Sequence, residues 1–239
     1  MTRLNNLRIG SLRLGDSPAI AGVLTDRDVL SLGAGDVEGA DLLELRVDMF
    51  DNLDIAHVTS VFRSAAEIFR KPLLATVRAV EEGGQKEIPD RLALYSTVLP
   101  IADAADVEIA SSELFPSVAE LCHALGRILI GSYHNFAGSP GDAFLEEIVR
   151  RGKALGADIV KIALTAVSRD DTARLMSFTY RHRETPVITM SMGDAGLPSR
   201  VLSPILGSLV TYGYIRQPSA PGQLSVTELL DLFQRLKVR

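Results

Sequence analysis

The sequence predicts a (β/α)8 barrel, because eight short apolar runs alternate along it with longer amphipathic stretches. Strands that alternate with helices form parallel βαβ units, and eight such units close into a barrel. A doubly wound open sheet is the alternative, but no G-x-G-x-x-G turn opens the first helix. No low-complexity linker or shift in composition divides the chain. We therefore expect one domain over residues 1–239.

The individual elements follow from apolar spacing and turn residues. The expected barrel strands are, in chain order, Ala19–Leu24, Leu42–Val47, Leu73–Arg78, Asp106–Ile109, Ile128–Tyr133, Ile159–Ala163, Val187–Met190 and Leu209–Tyr214. The amphipathic stretches between them include Leu53–Arg70, Arg91–Ala102, Ala143–Leu155 and Asp170–His182. A last helix, Val226–Lys237, begins after Ser225, which has Glu228 three residues on as a capping box requires. Ahead of the first strand, Leu7–Gly10 and Leu12–Gly15 predict a short hairpin that closes the barrel bottom.

The composition is that of a soluble protein and excludes several function classes. Hydrophobic residues make up 46% of the chain and charged residues 23%. A net charge of −5 argues against nucleic-acid and anionic-membrane partners. The N-terminus lacks the apolar core of a signal peptide, and no run approaches the ~20 residues of a membrane span. A single cysteine, Cys122, rules out a disulfide framework within the chain. We expect a cytoplasmic protein.

Lys161 is the most informative single residue, because it lies among apolar residues in a predicted buried strand. Burial disfavours the charged form of a lysine, and a neutral amine is a nucleophile towards ketones. Two other interpretations remain open at this point. The side chain can extend to solvent at the strand end, or it can pair with a buried carboxylate.

Two other predicted strands carry charged residues two positions apart. Glu44 and Arg46 share one face of the second strand, opposite the apolar residues that face the helices. Inward charges are costly unless they pair with each other or with a ligand. Asp106 and Glu108 share a face of the fourth strand in the same way. We expect these two carboxylates to be ion-pair partners for inward cations rather than catalysts.

Three more candidates lie where strands end, the part of a barrel that carries its chemistry. Arg78 ends the third strand, and Glu82 follows in a loop with Gly83 and Gly84. His134 follows the fifth strand and can act as acid and base near neutral pH. A surface arginine and a structural histidine are the alternatives. The remaining histidines lie in helical patterns without metal-ligand spacing, so we assign no metal.

The last strands contribute a turn and a loop. Met192 to Gly196 form a glycine-rich turn that enters a helix carrying Arg200, an arrangement suited to an anion. Pro218 to Gln223 form a loop that is either a lid or a plain connector. The predicted mouth thus gathers cations in an acidic protein, which favours a small anionic substrate.

In these motifs the chain resembles the type I 3-dehydroquinate dehydratases, enzymes of the shikimate pathway that remove water from 3-dehydroquinate. Nearly the whole chain carries the family's motifs in their order and spacing. They are Glu44-Leu45-Arg46-Val47-Asp48, Arg78 with Glu82-Gly83-Gly84, Ser132-Tyr133-His134, Lys161, Met192-Gly193 with Gly196 and Ser199-Arg200, Gly207-Ser208, and Ala220-Pro221-Gly222-Gln223. Asn135 departs from the family, where many members have Asp, and the match around Glu108 is weak. Neither departure removes a residue that the family mechanism needs.

The resemblance implies a role for each candidate. Lys161 would form a Schiff base with the substrate ketone, His134 would transfer protons, and Glu82 would orient His134. Arg200 would bind the substrate carboxylate. Glu44, Arg46 and Arg78 would hold the ring hydroxyls, and Ser219 and Gln223 would close over the substrate from the loop. No cofactor is required, and a homodimer is expected.

Two other function classes stay open from the sequence. A class I aldolase uses the same lysine chemistry on a barrel, and Gly193 with Gly196 or Gly207 with Ser208 resemble its phosphate-binding turns. A non-catalytic ligand-binding barrel is the other, although Lys161, His134 and Glu82 are all present.

Overall fold

The computed structural model describes residues 7–218 and 222–239, which form a (β/α)8 barrel preceded by a hairpin. The hairpin strands are β1 (Arg8–Ile9) and β2 (Leu12–Arg13), paired antiparallel. The barrel strands are β3 (Ala19–Leu24), β4 (Leu42–Arg46), β5 (Leu73–Thr76), β6 (Ala104–Glu108), β7 (Ile128–Asn135), β8 (Ile159–Thr165), β9 (Val187–Met192) and β10 (Val210–Tyr214). One helix follows each barrel strand: α1 (Asp26–Ser31), α2 (Ile55–Phe69), α3 (Arg91–Val98), α4 (Leu114–Ala124), α5 (Asp142–Ala154), α6 (Arg169–Arg181), α7 (Leu197–Ile205) and α8 (Val226–Arg235).

The barrel strands pair in parallel in the order β10-β3-β4-β5-β6-β7-β8-β9. β9 and β10 meet at the remaining seam, where the Leu209 N–H donates to the Val187 carbonyl at 2.9 Å. The Ser208 hydroxyl accepts from the Thr189 N–H at 2.9 Å beside it. These two bonds bring the open edges together, so the predicted barrel class is confirmed.

Apolar residues fill two separate spaces, one outside and one inside the barrel. The larger cluster lies between strands and helices and includes Leu43, Leu45 and Val47, which alternate with the inward residues of β4. The smaller cluster fills the lower barrel interior, where Ile9 and Leu14 of the hairpin segment pack on Leu42, Leu74 and Ile130. The predicted closure of the barrel bottom by the hairpin is therefore confirmed.

Several predicted boundaries differ from the structure, and two differences have clear causes. β5 ends at Thr76 rather than Arg78, because the next two N–H groups donate to side chains. That of Val77 donates to the Tyr95 hydroxyl, and that of Arg78 donates to Asp48. α3 ends at Val98 rather than Ala102, since Pro100 cannot continue the helix hydrogen bonds. β7 and β8 run two residues beyond their predicted ends, so His134 lies within a strand.

The predicted cap of the last helix is confirmed. The Ser225 hydroxyl accepts from the Glu228 N–H at 3.1 Å, and the Glu228 carboxylate accepts from the Ser225 N–H at 2.7 Å. Among the described residues, no helix is long and apolar enough to cross a membrane.

Candidate active site

The site is built by the two-residue period of the barrel strands. Alternate residues face the barrel interior, apolar near the bottom and polar one step higher. On β8 the inward series is Ile159, Lys161 and Ala163, and on β7 it is Ile130, Ser132 and His134. Ser132 is the register partner of Lys161, so His134 lies one step further towards the carboxyl ends of the strands. The polar residues therefore rest on the apolar layer and meet in one cavity.

Lys161 is buried and ion-paired. Its Nζ lies 2.8 Å from Oδ2 of Asp106 and 3.7 Å from Oε1 of Glu44. The same Glu44 oxygen accepts a hydrogen bond from the Thr76 hydroxyl at 2.8 Å. The side chain is only 5% exposed, so it does not extend to solvent. The reactive candidate is thus held between two carboxylates, as the pairing interpretation predicted.

Arg78 is also buried and forms the second cation of this network. Its Nη1 donates to Glu108 and to the Ser132 hydroxyl at 2.9 and 2.7 Å. Its Nη2 lies 2.9 Å from Oδ1 of Asp106, an ion-pair contact without hydrogen-bond geometry. The expectation that Asp106 and Glu108 pair with inward cations is therefore confirmed, and the surface alternative for Arg78 is wrong.

The network controls the charge of Asp106. Burial by itself would raise the pKa of this carboxyl, but the positive charges of Arg78 and Lys161 hold it well below its usual range. Asp106 is therefore ionised throughout the range in which enzymes work.

Arg46 pairs with Asp48, a residue of the same motif for which the sequence predicted no role. Its Nε and Nη2 donate to the two oxygens of Asp48 at 2.9 and 2.8 Å, a bidentate pair. Asp48 is fully buried and also accepts from the backbone N–H groups of Arg78 and Gln85. Glu44 and Arg46 therefore do not form an ion pair with each other, because Arg46 pairs with Asp48 and Glu44 contacts Lys161. Asp48 could have been found as the residue two positions after Arg46.

His134 and Glu82 form a coupled pair at the mouth of the barrel. Oε2 of Glu82 lies 2.8 Å from the His134 backbone N and 2.9 Å from its ring Nδ1. Burial is the main cause that lowers the pKa of His134 well below its usual value, and the positive charges of Arg78 and Lys161 add to it. Burial also raises the pKa of Glu82 to about 7. Both shifts favour a neutral imidazole near neutral pH.

A close backbone approach positions Glu82. The chain leaves the short helical turn Val80–Glu82 and doubles back, so the Gly84 N–H donates to the Ala79 carbonyl at 2.8 Å. A Cβ at Gly84 would lie 2.3 Å from the Arg78 carbonyl oxygen, which no side chain tolerates. The glycine therefore allows the loop to place the carboxylate against His134.

Arg200 and Gln223 reach the cavity from the last two βα units. Arg200 lies on α7 and is only 1% exposed, and its Nη1 donates to the Tyr212 carbonyl at 3.5 Å. Burial lowers the pKa of Arg200 to about 10, so the guanidinium stays charged at neutral pH.

Gln223 follows Gly222, where a Cβ would lie 2.6 Å from the Gly193 carbonyl oxygen. This crossing brings the loop after β10 over the glycine turn after β9. Ser219, the other predicted loop contact, lies outside the described residues.

One cavity of about 680 Å³, reaching to its open mouth, joins these residues. Eight of the nine predicted site residues line it: Glu44, Arg46, Arg78, Glu82, His134, Lys161, Arg200 and Gln223. Four of these are basic side chains and two are carboxylates, so the lining is suited to an anion. Within the described ranges, no group of three or more His, Cys, Asp or Glu side chains is arranged to hold a metal ion.

The sequence analysis did not predict the apolar side chains that line the cavity. Besides Tyr212 and Phe136 it contains Val23, Ala163, Met190 and Met192. Lys161 and Ala163, like Met190 and Met192, stand two residues apart on one strand. The signal that could have identified them is therefore the same period of two that places Lys161.

Comparison with known proteins gives a consistent result. The family model for type I 3-dehydroquinase matches residues 24–239. A 3-dehydroquinate dehydratase from Thermodesulfovibrio yellowstonii is 41% identical over 226 residues, which are 95% of this chain and 99% of that protein.

Solved structures agree with the sequence comparison. The 3-dehydroquinate dehydratase of Aquifex aeolicus superposes with a TM-score of 0.83 at 32% identity, over 91% of this chain and 98% of that one. A type I 3-dehydroquinate dehydratase from Clostridium difficile, solved with covalently modified comenic acid, superposes with a TM-score of 0.86 at 29% identity over 96% of both chains.

Proposed function

The chain belongs to the type I 3-dehydroquinase family, and from this we propose that it removes water from 3-dehydroquinate through an imine on Lys161. This makes it a hydro-lyase of the shikimate pathway. The observation that carries the proposed mechanism is that Lys161 lines the same cavity as the His134–Glu82 pair. A nucleophilic amine and an acid–base group therefore act on one bound molecule.

The reaction begins with the amine. The Lys161 ammonium gives up a proton, and the resulting amine attacks the substrate ketone. The ketone oxygen leaves as water with that proton and a second one from the nitrogen, which produces an iminium. The iminium draws electrons from the neighbouring carbon, so the α-proton becomes acidic. Loss of that proton gives an enamine, whose electrons expel the hydroxyl on the β-carbon. Hydrolysis of the resulting conjugated imine releases the unsaturated ketone and restores the lysine.

His134 moves the protons in this scheme. When Glu82 is ionised it accepts the Nδ1–H, so the lone pair of the neutral ring is on Nε2. Nε2 removes the α-proton and then returns it to the departing hydroxyl, which leaves as water. Glu82 fixes the ring tautomer and stabilises the imidazolium that forms between the two steps.

The charged residues that line the cavity orient the substrate. Arg200 binds the substrate carboxylate with its planar pair of N–H donors. The ring hydroxyls of the substrate are contacted by Glu44, Arg46 and Arg78. Gln223, together with Ser219 beyond the described residues, closes the cavity over the substrate. The support is that four cations line a cavity in a protein of net charge −5.

No observation favours the aldolase or the non-catalytic barrel. Both alternatives remain separable by experiment, because an aldolase cleaves a sugar phosphate into two carbonyl fragments and a binding barrel turns over nothing. We also propose a single domain and a cytoplasmic homodimer. Sedimentation equilibrium tests the dimer directly, since a monomer mass at micromolar concentration would contradict it.

The deciding experiment combines turnover with covalent trapping. Purified protein mixed with 3-dehydroquinate should increase ultraviolet absorbance as the conjugated enone of the product forms. Borohydride added during turnover should inactivate the protein and attach the reduced ligand to Lys161, as located by peptide mass spectrometry. Turnover without any adduct, or an adduct on another lysine, contradicts the Schiff-base assignment.

A further inference from the structure

Tyr212 presents its aromatic face to the nitrogen of Lys161. It lies on β10, is 4% exposed and lines the same cavity. Nζ of Lys161 stands 4.1 Å from the ring centroid, a distance at which a cation is attracted to the ring. The ring therefore touches the atom at which the proposed covalent chemistry occurs.

The contact gains importance when the lysine becomes an iminium. A lysine ammonium has three N–H groups, whereas its iminium with a ketone has one. Asp106 accepts a hydrogen bond from Nζ and Glu44 forms an ion pair with it. Loss of N–H groups therefore weakens the interaction of these carboxylates with the nitrogen. Attraction to an aromatic face depends on positive charge and not on the number of N–H groups. Tyr212 can therefore support the cation before and after condensation.

The Tyr212 hydroxyl supplies a second, independent observation. No hydrogen-bond partner for this buried oxygen exists among residues 7–218 and 222–239. Buried polar groups are nearly always paired, and an unpaired one is unfavourable. Phenylalanine would supply the same ring without this cost. Burial, with Glu44 and Asp106 nearby, raises the pKa of Tyr212 well above its usual value, so the group remains an O–H donor.

We propose that Tyr212 is a further catalytic residue: its ring stabilises the iminium on Lys161, and its hydroxyl donates to an oxygen of the attached substrate. The inference rests on the proposed Lys161 imine. The substrate offers ring hydroxyls and a carboxylate as acceptors, and its attachment to Lys161 would bring it to the face of the Tyr212 ring. No proton is transferred to or from the phenol in this assignment, so the proton balance of His134 is unchanged.

Two substitutions separate the ring from the hydroxyl. Tyr212→Phe keeps the ring and should raise the KM for 3-dehydroquinate about 3- to 10-fold, the effect of one neutral hydrogen bond. Its borohydride adduct at saturating substrate should equal that of the wild type. Tyr212→Leu removes the ring and should lower kcat and the rate of adduct formation by roughly 10-fold. Tyr180→Phe, on the exposed face of α6, is the matched control and should match the wild type.

The readouts distinguish this inference from the reaction itself. If the wild type forms no adduct on Lys161, the proposed function fails. If the wild type forms it and Tyr212→Leu does so equally fast, the role of the ring is wrong. An unchanged KM in Tyr212→Phe contradicts the substrate contact of the hydroxyl. Tyr212→Met, with thermal unfolding of every variant, replaces the leucine variant if that one unfolds.

Discussion

One oxygen of Glu82 accepts the backbone N–H of His134 at 2.8 Å and lies 2.9 Å from its ring Nδ1. The histidine is therefore held at its backbone and at its ring by a single carboxylate. In the proposed mechanism, Nε2 is the nitrogen that meets the substrate. Because burial raises the pKa of that carboxylate to about 7, the pair changes protonation within the working range of the enzyme.

The Glu82–His134 pair predicts the acid limb of the pH profile. As pH falls through about 7, Glu82 takes up a proton and loses its role as acceptor for Nδ1–H. The value of kcat/KM should therefore decline below that pH, by about tenfold per pH unit at the lower end. Measuring kcat/KM between pH 5 and pH 9 tests this, since that ratio reports groups of the free enzyme.

Glu82→Gln is the matched variant for this profile. The amide oxygen can accept both His134 donors, but the group does not titrate. We expect a lower plateau and an acid limb displaced to lower pH, where His134 itself titrates, because the pKa of His134 is lowered. An unchanged acid limb near pH 7 in Glu82→Gln would assign it to another group.

Lys161→Ala separates binding from chemistry. The variant should lose turnover by several orders of magnitude and form no borohydride adduct, because residues 7–218 and 222–239 place no other buried lysine in the barrel. Binding of 3-dehydroquinate should persist, since Arg200 and the other charged residues of the lining remain. Isothermal titration calorimetry measures the binding, and the absorbance of the product measures the turnover. Lys237→Ala, an exposed lysine just beyond α8, is the control and should be fully active. Residual turnover above one per cent in Lys161→Ala would argue against covalent catalysis.

His134→Ala tests the proton transfers. Removing a general acid–base residue costs roughly 10²–10⁴ in turnover. We expect a loss in that range with substrate affinity changed much less. Single-turnover kinetics with borohydride quenching would show whether the imine still forms. A variant with near-wild-type rates would place the base elsewhere, and Glu82 would be the first residue to examine.

Arg200→Lys tests the carboxylate contact. Lysine keeps the charge but cannot offer two parallel donors, so KM should rise by about 10- to 100-fold while kcat falls less. Initial-rate measurements across substrate concentration separate the two constants. Arg150→Lys, in an exposed pair with Glu147, is the control and should leave both unchanged. A wild-type KM in Arg200→Lys would mean that the substrate carboxylate is bound by another residue.

The barrel and most of its polar lining followed from the sequence because both depend on simple periods. The two-residue spacing of Glu44 with Arg46 and of Asp106 with Glu108 requires both members to face the same way. Those spacings give direction but not partners. Barrel closure decides that Asp106 on β6 meets both Lys161 on β8 and Arg78, which lies just after β5.

Residues with ordinary patterns were the ones that could not be assigned. Tyr212 belongs to an apolar strand, and nothing local shows that its ring lies under Lys161, because the two strands are far apart in the chain. The spacing of Asp48 from Arg46 could have suggested their pair, but Asp48 stands just after its strand, where a carboxylate usually contacts solvent. Its contact with the Gln85 N–H depends on the return of the Gly83–Gly84 loop. Contacts of this kind depend on loop paths, which strand periodicity does not encode.

Asp106 should be the most stabilising single carboxylate of the site. It is fully buried and contacts both Lys161 and Arg78, so Asp106→Asn leaves two buried cations with less compensation. Breaking a buried pair by removing one partner typically costs about 3–5 kcal/mol. We expect a loss of that size in the free energy of unfolding, measured by urea denaturation at pH 7. Glu147→Gln, which breaks the exposed pair with Arg150, should change it by less than about 1 kcal/mol.

The pH dependence of this loss has a definite sign. The pKa of Asp106 is lower in the folded chain than in the unfolded one, so its contribution is complete above the unfolded pKa of about 4. It disappears only as pH falls towards the folded pKa, well below that value. The difference in unfolding free energy between wild type and Asp106→Asn should therefore be constant from pH 6 to pH 8 and should shrink below pH 4. A difference under about 1 kcal/mol at pH 7 would mean that Glu44 and Glu108 alone neutralise the two cations.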